Sequence, residues 1–98
     1  MIKVDYHPHL LARMEQRGIS TDEIERTLEA GWEATDAKPG TQGKVCVFDF
    51  RQEWQGRFYE EKEVRVYYKE AKDDLVVVTA VARYGNNFAR RSNDEDRI

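Results

Sequence analysis

His9, Arg13 and Arg17 stand four residues apart near the start of the chain, so on a helix they line one face. An imidazole can move a proton near neutral pH, and two guanidiniums beside it supply fixed positive charge that can grip phosphate oxygens in pairs. Such a trio suits phosphate chemistry. Each residue also has a structural role open to it. His9 can hydrogen-bond locally at a helix start, Arg17 in a last turn complements the helix dipole, and both arginines have acidic neighbours such as Glu15 and Glu23. Asp5, His7 and His9 alternate as metal-ligand types. Pro8 breaks the strand geometry that would aim both imidazoles one way, and no further His or Cys completes a tetrahedral set, so no metal or other cofactor is expected. Cys46 alternates with Phe48 and Phe50 and reads as a core thiol rather than a nucleophile. Tyr67, Tyr68, Trp32 and Trp54 are of the type that stacks bases, or that fills a core.

The elements that must position these groups are well signalled. Residues 2–6 read as a short strand or an extended lead-in. Pro8 suits a first helical turn, and a helix is predicted to run to about Arg17 with Leu10, Leu11 and Met14 inward. Gly18 closes it in the left-handed conformation. Ser20 and Glu23 form a capping box, so a second helix follows directly to about Ala30, with Ile24 and Leu28 inward and Gly31 as its stop. From Trp32 the hydrophobic period becomes two. Residues 37–43 are a loop by composition, residues 44–51 a strand, and residues 53–57 a turn. Residues 63–69 alternate cleanly, and residues 75–84 form the most apolar run, read as a central strand.

The last two strands make a hairpin around residues 71–74. An even register is predicted there, with Val66 opposite Val78 and Arg65 opposite Thr79, because an odd slip would put apolar residues on the wrong face. Val64, Val66, Tyr68, Val76, Val78 and Ala80 would then form the surface that the helices cover. Arg65, Tyr67, Lys69, Thr79 and Arg83 would share the opposite face. The expected fold class is α+β: two N-terminal helices packed on an antiparallel sheet of about four strands. Residues 1–91 are expected to form one domain, and residues 92–98 a disordered acidic tail.

Of 98 residues, 40% are hydrophobic and eleven are aromatic, enough for one compact core. No apolar run approaches the roughly 20 residues that cross a bilayer. The start lacks the pattern of a secretory signal, and a lone cysteine excludes an intrachain disulfide framework. A soluble, cytoplasmic protein is the expectation. The net charge of −3 excludes a broad electrostatic grip on nucleic acid, so any contact with RNA would have to be local.

The run from His9 to Ser20, with Glu23, Ile24 and Gly31 after it and Val76-Val-Val-Thr79 late in the chain, resembles a small prokaryotic family of uncharacterised, DUF4258-like domains. Their pattern is H-x-x-x-R-M-x-x-R-G-I-[ST] followed by a late V-V-T strand. That family is distantly similar to RelE- and BrnT-type toxins, within the barnase–EndoU–colicin–RelE group of ribonucleases. The resemblance implies a metal-independent endoribonuclease in which the ribose 2′-hydroxyl attacks the adjacent phosphate. His9, Arg13 and Arg17 match the family's histidine and arginines, and Arg65, Tyr67, Thr79, Arg83 and Tyr84 stand where a sheet-borne site is expected. Catalysis is then expected of His9, Arg13, Arg83 and Tyr84, and phosphate or RNA binding of Arg17, Arg65, Tyr67 and Thr79. RNA would be one partner and a neutralising antitoxin another. The acidic balance supports an alternative: a non-enzymatic interaction protein of the same fold, such as a phage- or plasmid-encoded inhibitor of a basic protein.

Overall fold

The computed structural model describes residues 3–90; the expected acidic tail lies outside them. The elements run in the order β1 (Lys3–Tyr6), α1 (Pro8–Arg17), α2 (Thr21–Ala30), β2 (Trp32–Glu33), β3 (Gln42–Trp54), β4 (Arg57–Ala71) and β5 (Asp74–Gly85). Both helices begin and end where their sequence signals stand. His7, in extended conformation, caps α1 by accepting the His9 N–H on its Nδ1 at 3.2 Å, and Pro8 follows as the first helical residue. At the far end Gly18 adopts φ 72°. Its N–H bonds back to the Glu15 carbonyl and that of Ile19 to the Met14 carbonyl, a Schellman closure whose apolar pair, Met14 and Ile19, is buried. Ser20 and Glu23 exchange the two bonds of a capping box at 3.0 and 3.1 Å.

The sheet has five strands in the order β1-β5-β4-β3-β2, one more than expected. It is also mixed: β1 runs parallel to β5, and the other neighbours are antiparallel. Val4 and Tyr6 pack against the core from β1, which is why this short lead-in becomes a strand. One face of the sheet carries both helices over a core of Leu10, Met14, Ile19, Ile24, Val64, Val66, Val77 and Ala80. Each large aliphatic side chain buried there contributes roughly 1.5–3 kcal/mol. Leu11, expected to point inward, is 50% exposed. Leu10 and Met14 alone fill the inward stripe, and Leu11 is turned about 100° away from it.

The β4–β5 hairpin differs from the predicted register. A two-residue turn, with Lys72 at φ 56°, pairs Ala71 with Asp74 and so starts the ladder in odd register, with Tyr68 opposite Val77. A bulge then absorbs Val78, and pairing resumes with Tyr67 opposite Thr79, Val66 opposite Ala80 and Arg65 opposite Val81. Leu75 and Val77 therefore face the helices in place of Val76 and Val78. The single inserted residue restores the even phase for Ala80, which alternation alone cannot reveal. The β3–β4 hairpin turns at Gln55-Gly56, both with positive φ, as a tight hairpin turn requires.

Candidate functional site

The eight residues singled out from the sequence occupy three separate places. At the start of α1, His7 and His9 are exposed, and their rings stack with centroids 5.1 Å apart. Arg13, one turn along, is exposed, and its guanidinium has no hydrogen-bond or ion-pair partner among the described residues. The extended cap residue and Pro8 together bring two imidazoles side by side. Pro8 would make the rings diverge in a strand; between an extended cap and a helix it brings them together.

At the other end of α1, Arg17 turns away from this pair. Its Nη1 donates to the Ala80 carbonyl of β5 at 2.7 Å. Tyr84 donates its hydroxyl to the Arg17 carbonyl, also at 2.7 Å, and stacks on Trp54 with 5.1 Å between ring centroids. Burial, with the nearby Glu23 charge, pushes the Tyr84 phenol up to about 12, so it stays protonated as a donor. Beneath these rings Lys62 Nζ donates to both Glu23 carboxylate oxygens at 2.8 and 2.9 Å, and to the Gly18 carbonyl. Lys62 and Glu23 carry no signal in the sequence that would pair them.

Arg65, Tyr67, Thr79 and Arg83 lie on the second face of the sheet, as the alternation predicts, with the full thickness of the sheet between them and α1. The arginines there are internally neutralised. Arg65 Nε donates to Glu63 at 3.1 Å and its Nη1 reaches Asp36 at 3.4 Å, while Arg83 Nη1 reaches Glu63 at 3.4 Å. Glu63 itself is buried, which two guanidiniums make tolerable. The Tyr67 hydroxyl donates to Asp36, 2.9 Å from one oxygen and 3.0 Å from the other. Burial, reinforced by that bond, raises its pKa. Phe88 lies under the Arg83 guanidinium at 5.3 Å, and its N–H donates to Glu61 at 2.8 Å.

A cleft of about 320 Å³ opens on this face, lined by Asp36, Lys38, Thr41, Tyr67, Val78 and Thr79. Its rim is a turn in which the Lys38 carbonyl accepts from Thr41 N–H at 2.9 Å. Gly40 takes φ 86° there behind Pro39, the pairing a type II turn favours. His7 N–H donates to the Val77 carbonyl at 3.4 Å, and Tyr6 pairs with Val77, which brings His7 level with Val78 of the cleft floor.

A family model described as a domain of unknown function, DUF4258, matches residues 6–82. The chain belongs to the DUF4258 family. No curated protein and no solved structure matches it. The DUF4258 match takes in the imidazole pair, both helices and every residue lining the cleft, whereas Arg83 and Tyr84 fall just beyond it. No helix among the described residues is long and apolar enough to cross a membrane.

Proposed function

We propose that this DUF4258 domain is a metal-independent endoribonuclease of the RelE-like type, with its proton transfer at the start of α1. The observation that carries this reading is the exposed pair of stacked imidazoles, 5.1 Å apart, with the unpartnered Arg13 guanidinium one turn on. Cleavage of RNA by its own 2′-hydroxyl needs one group to take the 2′ proton as oxygen bonds to phosphorus, and one to protonate the departing 5′ oxygen. One imidazole serves as both in turn, taking the 2′ proton and returning it to the 5′ oxygen, and Arg13 offsets charge on the phosphate oxygens. The products are a 2′,3′-cyclic phosphate and a 5′-hydroxyl. His9 acts as the proton carrier. His7 Nδ1 accepts the His9 N–H, which leaves its Nε2–H as a hydrogen-bond donor to a phosphate oxygen. Arg17 and Tyr84 serve as positioning residues that tie α1 to β5.

The test is a mixed RNA pool incubated in EDTA with wild type and His9→Ala, followed by end analysis of the products. Wild type is expected to leave cyclic phosphates, and His9→Ala to lose roughly 10²-fold or more in rate. Cleavage that survives the substitution overturns the assignment. A second reading is favoured by the pairing of Arg65 and Arg83 with Glu63 and Asp36, together with the net charge of −3. In that reading the fold is a non-enzymatic module that binds a basic protein. Folded protein that leaves every RNA intact supports it.

A further inference from the structure

We propose that the cleft on the second face of the sheet holds an RNA base and selects guanine. The inference rests on the RNA-directed reading above and deepens it by naming the base next to the cleaved phosphate. The bulge in β5 turns Val78 outward, 36% exposed, and gives the cleft an apolar floor. Tyr67 forms its wall: the ring lies against Gly43, where a Cβ would come within 3.0 Å of two ring carbons. One side of that ring is thus supported by backbone, and the ring borders the cleft as a stacking surface.

Asp36 supplies the selection. Its carboxylate is held by the Tyr67 hydroxyl at 2.9 Å and by Arg65 at 3.4 Å, and is still 58% exposed. An ionised carboxylate is an acceptor with lone pairs to spare. Of the four RNA bases, guanine alone presents two adjacent donors, its ring N1–H and its 2-amino group. Adenine and cytosine set a ring acceptor beside their amino group, and uracil flanks its single N–H with carbonyls. The acceptors of those three bases would face carboxylate oxygens. Lys38 on the rim is placed for a neighbouring phosphate. The His7 backbone stands level with Val78, so RNA leaving the cleft at this end passes the sheet edge from which the imidazole pair rises. The volume of about 320 Å³ suits one base.

The experiment is an equilibrium titration of the full chain with guanosine 3′-monophosphate and, separately, the adenosine, cytidine and uridine analogues, followed by amide chemical shifts. Guanosine 3′-monophosphate is expected to bind roughly tenfold more tightly than the others, with shifts centred on residues 36–41 and 78–79. Asp36→Asn, at an exposed position, should keep the folded spectrum and bring the preference close to unity. Equal affinity for all four nucleotides overturns the proposal. So does the absence of binding at millimolar concentration, or a preference that Asp36→Asn leaves intact. His9→Ala is expected to keep the preference for guanosine 3′-monophosphate over the other three nucleotides, whatever the lost imidazole does to their common affinity. Wild-type protein that binds guanosine 3′-monophosphate selectively but cleaves no RNA would strike the catalytic reading alone, and cleavage without guanine preference would strike the cleft alone.

Discussion

A buried ammonium keeps its charge only where a counter-charge and hydrogen-bond acceptors replace the water it has lost. Lys62, 3% exposed, has both in the Glu23 carboxylate and the Gly18 carbonyl, with the Phe50 and Tyr84 rings 5.6 Å from its nitrogen. Glu23 serves two elements at once, since the oxygen that accepts from Lys62 also accepts the Ser20 N–H. Lys62→Ala is expected to lower unfolding free energy by about 3 kcal/mol in urea titration, because it leaves Glu23 partly buried without its partner. Lys62→Met combined with Glu23→Gln should recover much of that loss, as replacing both charges removes the orphan. This pair was not legible beforehand. Lys62 stands among Glu60, Glu61 and Glu63 in what reads as a solvated run, and only strand alternation puts it on the covered face. The chemical character of His9 and Arg13 was legible because it depends on residue type and helical spacing alone. Their separation from Arg65, Thr79 and Arg83 follows from strand alternation, which turns Val64 and Val66 toward the helices and these three residues to the other face.

Among the elements, the helices were the most readable, for each boundary is set by residues adjacent to it: Pro8, Gly18, Ser20 with Glu23, and Gly31. Strands take their neighbours from far away, and so the parallel pairing of β1 and the register of β5 were not. The bulge at Val78 costs the ladder one residue and supplies the cleft floor, a local irregularity next to a candidate site. The turn between the helices is tied to the rest of the fold more closely than its cap signal alone conveys. A Cβ at Gly18 would meet Trp54 and the Tyr84 hydroxyl at 2.7 Å, whereas one at Gly40 would meet nothing within 4 Å. Both glycines have positive φ, so each alanine substitution carries a backbone strain of about 1 kcal/mol. Gly18→Ala is expected to cost clearly more than Gly40→Ala in thermal unfolding. It should also shift tryptophan emission, because Trp54 must move to admit the methyl group.

At the scale of the whole molecule, stability in alkali follows from two phenols. Burial raises Tyr6 to about 12, with Glu25 accepting its hydroxyl at 3.0 Å, and Tyr84 reaches about 12 as well, from a usual value of 10.0. The folded state therefore holds these protons more tightly than the unfolded chain. Their stabilisation is complete below pH 10 and is lost as pH rises from 10 toward 12, since the unfolded state releases protons first. Urea midpoints measured across that window should fall steeply for wild type. The decline should be shallower for Tyr84→Phe, and shallowest when Tyr6→Phe is added.

The Arg17 bond to the Ala80 carbonyl has a consequence for biosynthesis. β1 stops pairing with β5 at Val77, so an apolar strand continues past its neighbour, the kind of edge on which other chains can add. The guanidinium that occupies this edge lies 63 residues earlier in the chain than the carbonyl it meets. A ribosome making the protein N-terminus first thus releases the helix bearing the guard well before the strand to be guarded. The vulnerable segment emerges with its chaperone already made, as part of the same polypeptide.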